Sequence, residues 1–219
     1  MNAHRTPAVA NLLDSESLSL AEDYVYLPDA VRQAREDALV SLGEAPSNGV
    51  CAALVFLARM LDAKAVVEVG TGAGVTGLAL FAGMNPAGIL TSIDSEADWQ
   101  LEARQAFTAA GIAPRRFRTI AGVALDVLPK LSDGAYDMVF VNGDKLEYVE
   151  YVAQAARLLR SGGLLVLYDI LWRNLVANPR NEDDETVIMR ETLQSVQDLG
   201  DFTPLLIPLG SGLLAAIKD

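Results

Sequence analysis

The chain has 219 residues, the size of one α/β domain with a short extension, so a single domain spanning 1–219 is expected. Hydrophobic residues make up 51% and charged residues 21%, which excludes a largely disordered chain. The formal net charge of −12 repels phosphate backbones and anionic lipid surfaces, so neither nucleic acid nor membrane is expected as a partner.

Residues 1–20 show no sustained periodicity and are expected to form a mobile leader. They lack the basic start, apolar stretch and cleavage site of a secretory signal, and no apolar run reaches the roughly 18 residues of a membrane span. The only histidine, His4, falls in this leader, which leaves no histidine for a catalytic triad or a histidine-rich metal site. A helical cap follows over 28–62. Pro28 and Asp29 open its first helix, Val31, Ala34, Ala38 and Leu42 share one face, and Gly43 ends it. After a turn at 44–49 comes the nearly all-apolar helix 50–61. It contains the single cysteine, Cys51, which cannot form an intramolecular disulfide and points to a reducing, cytoplasmic setting.

Apolar runs then alternate with amphipathic stretches, as when crossover helices join parallel strands. Strands are expected at 65–69, 89–93, 117–120, 136–141 and 164–168, with helices at 75–81, 96–110 and 147–159. The short basic cluster Arg115, Arg116 and Arg118 reads as a solvated approach to the third strand. The last helix, 183–199, takes the acidic run 182–185 into its first turn, where negative charge suits the dipole. Strands 203–207 and 213–217 flank Gly210-Ser211-Gly212, a link too short for anything but an antiparallel pair.

The strongest local signal is Val66-Val67-Glu68-Val69-Gly70-Thr71-Gly72-Ala73-Gly74, a strand that runs into glycines and then a helix. Such a turn lets a ligand approach the backbone, and the helix start offers unpaired N–H groups. The spacing G-x-G-x-G, with Glu68 two positions before the first glycine, differs from the G-x-G-x-x-G of dinucleotide sites. A carboxylate there disfavours a pyrophosphate and favours a cofactor with a cationic amino-acid end, so an NAD-dependent dehydrogenase is disfavoured. Asp94 ends the next strand 24 residues after Gly70, close to the roughly 20-residue spacing of a ribose-binding carboxylate.

From about Pro46 to the C-terminus the chain resembles the class I S-adenosylmethionine (SAM)-dependent methyltransferases, and more closely the catechol and caffeoyl-CoA O-methyltransferase family. The matching segments are 68–74, Ser92-Ile93-Asp94, 136–145 with Tyr148, Gly162-Gly163, Asp169-Ile170-Leu171-Trp172 and 208–212. The resemblance implies a Rossmann-like, doubly wound, seven-stranded and mostly parallel α/β sheet with an N-terminal helical extension and an antiparallel last pair. It implies that Glu68, Gly70 and Gly72 surround the methionine portion of SAM with Thr76 beside them, and that Thr71 and Asn142 belong to the same cofactor set. Asp94 would hold the ribose hydroxyls, and Val123 and Ala124 would lie by the adenine. A homodimer and a small-molecule hydroxyl acceptor, aromatic by the chemistry available, are implied too.

Family members hold a divalent cation with an Asp after the fourth strand and an Asp-Asn pair after the fifth. Here those positions are Asn142, Asp169 and Ile170, so a single charged ligand is left, a resident Mg²⁺ is doubtful, and no residue is assigned to a metal. The family's general base corresponds to Lys145, which would act alone or with Asp144 and Asp169, a chemistry suited to an acidic phenol. Trp172 is a candidate wall of the acceptor pocket, and Tyr24, Tyr26, Tyr148 and Tyr151 are candidates for substrate or partner surfaces. The alternatives are a SAM-binding protein without turnover, suggested by the altered positions 142 and 170, and an RNA methyltransferase, which the charge opposes.

Overall fold

The structure, a computed structural model, describes residues 14–219. His4 and most of the expected leader lie outside the described residues. The end of that leader does not: residues 15–20 belong to helix α1, Ser15–Asp23, whose first turn is capped by the Asp14 carboxylate accepting from the Ser17 N–H at 2.8 Å. The cap follows as α2, Asp29–Leu42, and α3, Asn48–Met60. Pro28 precedes the first and Gly43, in the left-handed region, closes it; the Ser47 hydroxyl caps the second by accepting from Val50 N–H. Val31, Ala34 and Ala38 are buried, as their shared face predicts.

The strands are β1 Ala65–Val69, β2 Ile89–Asp94, β3 Phe117–Ala121, β4 Tyr136–Val141, β5 Leu159–Tyr168, β6 Phe202–Ile207 and β7 Leu213–Lys218. Their connections are α4 Val75–Gly83, α5 Ala97–Ala109, the short α6 Ala124–Val127, α7 Tyr148–Leu158 and α8 Asp184–Asp198. One sheet results, in the order β3-β2-β1-β4-β5-β7-β6, parallel except that β7 runs antiparallel to both its neighbours. β5 begins five residues earlier than expected, because Leu159 already pairs with Tyr136 before a register irregularity that Gly162-Gly163 accommodate. Pro204 sits in β6, the edge strand, where a missing backbone donor is tolerated.

Side chains alternate across the sheet and split the core in two. Val66, Leu90, Met138, Phe140, Leu164 and Val166 face α2, α3, α4 and α5, while Val67, Ile93, Val139, Val141, Leu165 and Leu167 face α6, α7 and α8. Strand order reverses between β2-β1 and β4-β5, so the crossovers leave opposite faces and open a crevice beyond the carboxyl ends of β1 and β4. Among the described residues no helix is long and apolar enough to cross a membrane.

α3 and α4 pack closely where Gly83 meets the Val55 backbone; a Cβ at 83 would fall well inside van der Waals contact of the Val55 carbonyl. Gly83→Ala should therefore push the two helices apart at a cost of about 1–3 kcal/mol. Thermal unfolding should register a drop of roughly 2–10 °C. An unchanged melting temperature would mean that the two helices can separate freely.

Candidate active site

A cavity of about 710 Å³ fills the crevice, within the range of small-molecule sites. It is lined by the segments at and beyond the carboxyl end of each parallel strand: 69–73 at β1, 93–96 at β2, 122–124 at β3, 142–145 at β4, and 168–169 with 172–173 at β5. From the helical cap only Ala38 and the turn 44–46 reach it, while α3 packs instead on α4.

Gly70 shapes the floor. At φ +87° it lets the chain turn sharply after β1, and a Cβ there would strike the Asn142 carbonyl, so the ends of β1 and β4 can close together only over a glycine. Backbone bonds from Gly70 N–H to Ile93 O at 2.8 Å and from Asn142 N–H to Val69 O at 2.8 Å pin the loop between its neighbours. Asp94 adds a side-chain clamp. One carboxylate oxygen accepts from Gly72 N–H and the other from Glu96 N–H, both at 3.0 Å, and Asp94 still lines the cavity.

Glu68 departs from expectation. It is fully buried and does not line the cavity, so it lies behind the glycine loop rather than facing a ligand. Its two carboxylate oxygens accept from the Thr76 and Ser92 hydroxyls, each at 2.6 Å. Since Ser92 gives its proton to Glu68, the Ser92 oxygen accepts from the Thr71 hydroxyl at 2.5 Å, and Thr71 in turn accepts from the Gln100 amide at 2.8 Å. The chain Gln100–Thr71–Ser92–Glu68–Thr76 thus ties α5, the loop, β2, β1 and α4 together. Alternation along β1 places it there: Glu68 shares the face of Val66, which α4 and α5 cover. The even spacing of 66 and 68 was legible in the sequence; that α4 would cover this face was not.

Gly70, Thr71, Gly72, Thr76, Asp94, Val123, Ala124 and Asn142 do line the cavity, as do Asp144, Lys145, Asp169 and Trp172. Sequence reasoning missed Glu44, Trp99, Glu147, Tyr168, Arg173 and Ser211 on its wall: Ser211 lies in the matching segment 208–212 but was given no role there, and Tyr168 ends β5 as one more residue of an apolar strand. Tyr24 and Tyr26 are exposed; Tyr148 is fully buried beneath Lys145, and Tyr151 donates to Glu147 at 2.5 Å.

Lys145 Nζ approaches four oxygens: Tyr148 Oη at 3.1 Å, Asn142 Oδ1 at 3.2 Å, the Gly143 carbonyl at 3.3 Å and Asp169 Oδ2 at 3.6 Å. Burial pulls the lysine pKa below its ordinary value, while the Asp169 carboxylate pushes it back up. For Asp169 burial likewise disfavours the charge and raises the pKa, and Lys145 and Ser211 oppose the rise. Asp144 caps the following turn through Leu146 N–H at 3.0 Å. Next to Asp169, Ile170 is buried completely. Asp169, Trp172, Arg173 and Asn174 all hold positive φ, a left-handed segment that the backbone bonds Ile170 N–H to Gly212 O and Leu171 N–H to Ser211 O secure against the β6–β7 turn.

Comparison with known proteins identifies the same architecture. An O-methyltransferase family model matches residues 19–218. A protein of Mycobacterium sp. (strain KMS) that carries the name O-methyltransferase is 45% identical over 201 residues, covering 92% of this chain and 89% of its own. The crystal structure of a Corynebacterium glutamicum protein superposes with a TM-score of 0.85 at 30% identity, covering 93% of this chain and 96% of its own. TomG, an O-methyltransferase from Streptomyces achromogenes solved in complex with SAM, superposes with a TM-score of 0.82 at 26% identity, covering 94% and 96%.

The buried network makes a pH-dependent contribution. Burial raises the Glu68 pKa from 4.5 to about 7, against the hydrogen bonds from Ser92 and Thr76. A folded-state pKa above the unfolded value means that this group stabilises fully below about 4.5 and that the contribution is lost as pH rises through about 7. Urea unfolding across that window should show the native chain losing roughly 2–4 kcal/mol that a Glu68→Gln variant does not lose. Parallel pH profiles for the two proteins would refute the assignment.

Proposed function

Because the chain belongs to the O-methyltransferase family, we propose that it transfers the methyl group of SAM to the hydroxyl oxygen of a small aromatic acceptor. The observation that carries this reading is the cavity with two chemically distinct ends. At one end the glycine loop, Asp94 and the apolar Val123 and Ala124 suit a nucleoside carrying an amino-acid tail. Asp94 would accept from the ribose hydroxyls, Val123 and Ala124 would pack on the adenine, and Gly70, Thr71, Gly72 and Asn142 would adjoin the methionine portion. Thr76 lines the cavity beside them, and Glu68 acts one layer behind, holding the loop in shape through Thr76 and Ser92.

At the other end stand Lys145, Asp144, Asp169 and Trp172. With the lysine neutral, Nζ takes the acceptor's hydroxyl proton as the oxygen attacks the methyl carbon in line with sulfur. The O–C bond forms, the C–S bond breaks with its electron pair left on sulfur, and the proton stays on Lys145. Such a base suits a phenol, whose pKa is close to its own, and not an aliphatic alcohol. Glu44, Glu96, Asp144 and Glu147 around the mouth disfavour a phosphate backbone, which supports a small molecule over RNA.

The family resemblance brings with it a divalent cation, and the residues present do not fit one. Ile170 offers hydrocarbon where a ligand would stand, and Asn142 Oδ1 and Asp169 Oδ2 already face the lysine. Among the described residues no cluster of three or more His, Cys, Asp or Glu could hold a metal. No step is therefore assigned to a metal. Cys51, buried with its thiol pushed up to about 12, suits a reducing cytoplasmic setting and takes no part in the chemistry.

Calorimetry with SAM should give saturable binding, and its absence would end the methyl-transfer reading. Lys145→Met should leave that binding intact and lower kcat about 10²–10⁴-fold with a phenolic acceptor. The rate should rise with pH as Lys145 loses its proton. Asp169→Asn removes the charge that favours ammonium, so the acid limb of the pH–rate profile should move to lower pH; movement the other way would reject Lys145 as the base.

We propose that the chain forms the homodimer that the resemblance implies, through the outer sides of α2 and α3. Leu39 and Val40 of α2 and Phe56 and Met60 of α3 are exposed apolar side chains, Val40 to 89%. Sedimentation should give one species of twice the chain mass, and Phe56→Glu should shift it towards monomer; a monomeric native chain would rule out the dimer.

A further inference from the structure

We propose that the Lys145 ammonium is itself the cation of this site, caged by oxygens where a divalent ion would otherwise face the acceptor, so that the acceptor needs one ionisable hydroxyl and not a chelating vicinal pair. The inference rests on the methyl-transfer reading above and concerns what that site selects.

The cage comes from three separate parts of the fold. Asn142 and Gly143 follow β4, Tyr148 opens α7, and Asp169 follows β5. Their four oxygens lie 3.1–3.6 Å from Nζ, and the nitrogen is also 4.9 Å from the Tyr148 ring centre, the arrangement that attracts a cation to an aromatic face. Tyr148 is oriented for this. Its hydroxyl proton goes to the Tyr168 carbonyl at 2.9 Å, which leaves the phenol oxygen to accept from Lys145. Every cage oxygen is thus an acceptor, and Asp169 supplies the single formal counter-charge, which matches one ammonium and not a doubly charged ion.

Valence then limits what the acceptor can do. A divalent cation has several coordination positions and binds two neighbouring oxygens of a vicinal diol together. An ammonium has three N–H bonds, and three oxygens already stand within hydrogen-bond distance of Nζ, so an incoming oxygen gains one bond only by displacing one of them. The lysine side chain is 14% exposed, which leaves one narrow approach from the cavity. In the step described above the neutral form of Lys145 becomes this ammonium as it takes the acceptor's proton, so positive charge develops beside the attacking oxygen, as a metal would supply it, but at a single point. A second adjacent hydroxyl gains no cation contact.

The test uses the full-length protein. Mn²⁺ is titrated with detection by electron paramagnetic resonance, and methyl transfer from SAM is followed on pairs of aromatic acceptors, each vicinal diol beside its monohydroxy counterpart, with EDTA or with added Mg²⁺. The expected result is no Mn²⁺ bound below millimolar concentration, monohydroxy members turned over with kcat/KM within about tenfold of the diols, and no response to EDTA or Mg²⁺. Tight Mn²⁺ binding, turnover confined to diols, or activity that requires added metal would overturn the proposal. Loss of SAM binding in calorimetry would instead defeat the methyl-transfer reading, while the Mn²⁺ titration still decides the cage. As a second arm, Asn142→Asp with Ile170→Asn should still exclude Mn²⁺ while Lys145 is present, and adding Lys145→Ala should admit it. Equal Mn²⁺ binding by the double and triple variants, or none by a folded triple variant, counts against the ammonium as the excluding cation. If circular dichroism shows the triple variant unfolded, the native titration decides alone.

Discussion

A carboxylate enclosed by the protein is costly unless its oxygens are satisfied, and Glu68 meets that demand with hydroxyls drawn from two other elements. Thr76 reaches it from α4 and Ser92 from β2, and through Thr71 and Gln100 the chain of donors continues to the loop and α5. None of these groups can move far without leaving a buried polar atom alone. The shape of the glycine loop is therefore held from behind by polar bonds, as it is held in front by Asp94 on Gly72 N–H. Glu68, Ser92 and Gln100 do not line the cavity, so part of the bracing comes from groups that a ligand there does not meet.

The opposite wall depends on a different device. The chain leaves β5 through four non-glycine residues at positive φ, a conformation costing about 1–3 kcal/mol each. Backbone bonds to the β6–β7 turn and packing of Leu171 against Gly212 hold it. The result turns Asp169 towards Lys145 and stands Trp172 and Arg173, the latter 5.0 Å over the indole, at the rim. Strain there is compatible with a proposed acceptor pocket, where a side chain must be presented at an angle that regular structure would not give.

Strand propensity and alternation made most of the frame readable in the sequence. β1 and β4 begin and end where the apolar runs do, and the glycine spacing with Asp94 located the cavity without any knowledge of the sheet order. Less was readable where partners at a distance decide. Helix α1 has weak periodicity, yet its Glu22 bonds Gly49 N–H at 2.7 Å and Gly210 N–H at 2.5 Å, contacts that no local pattern announces. The early start of β5 depends on Tyr136 across the sheet, and Ser211, Trp99 and Glu44 enter the cavity wall from elements far apart in the chain.

The sequence by itself determined which residues are chemically able to act: a glycine turn, an acid after β2, and a lysine beside an amide where a second carboxylate stands in the family pattern. It also determined that position 170 is hydrocarbon. Tertiary structure alone decided where those groups point. Glu68 faces the helices and not the crevice because a strand's side chains alternate and α4 and α5 cover that particular face. Asn142 and Tyr148 lie three residues on either side of Lys145, but Asp169 joins them only because parallel pairing brings the ends of β4 and β5 side by side, a proximity that no spacing along the chain announces.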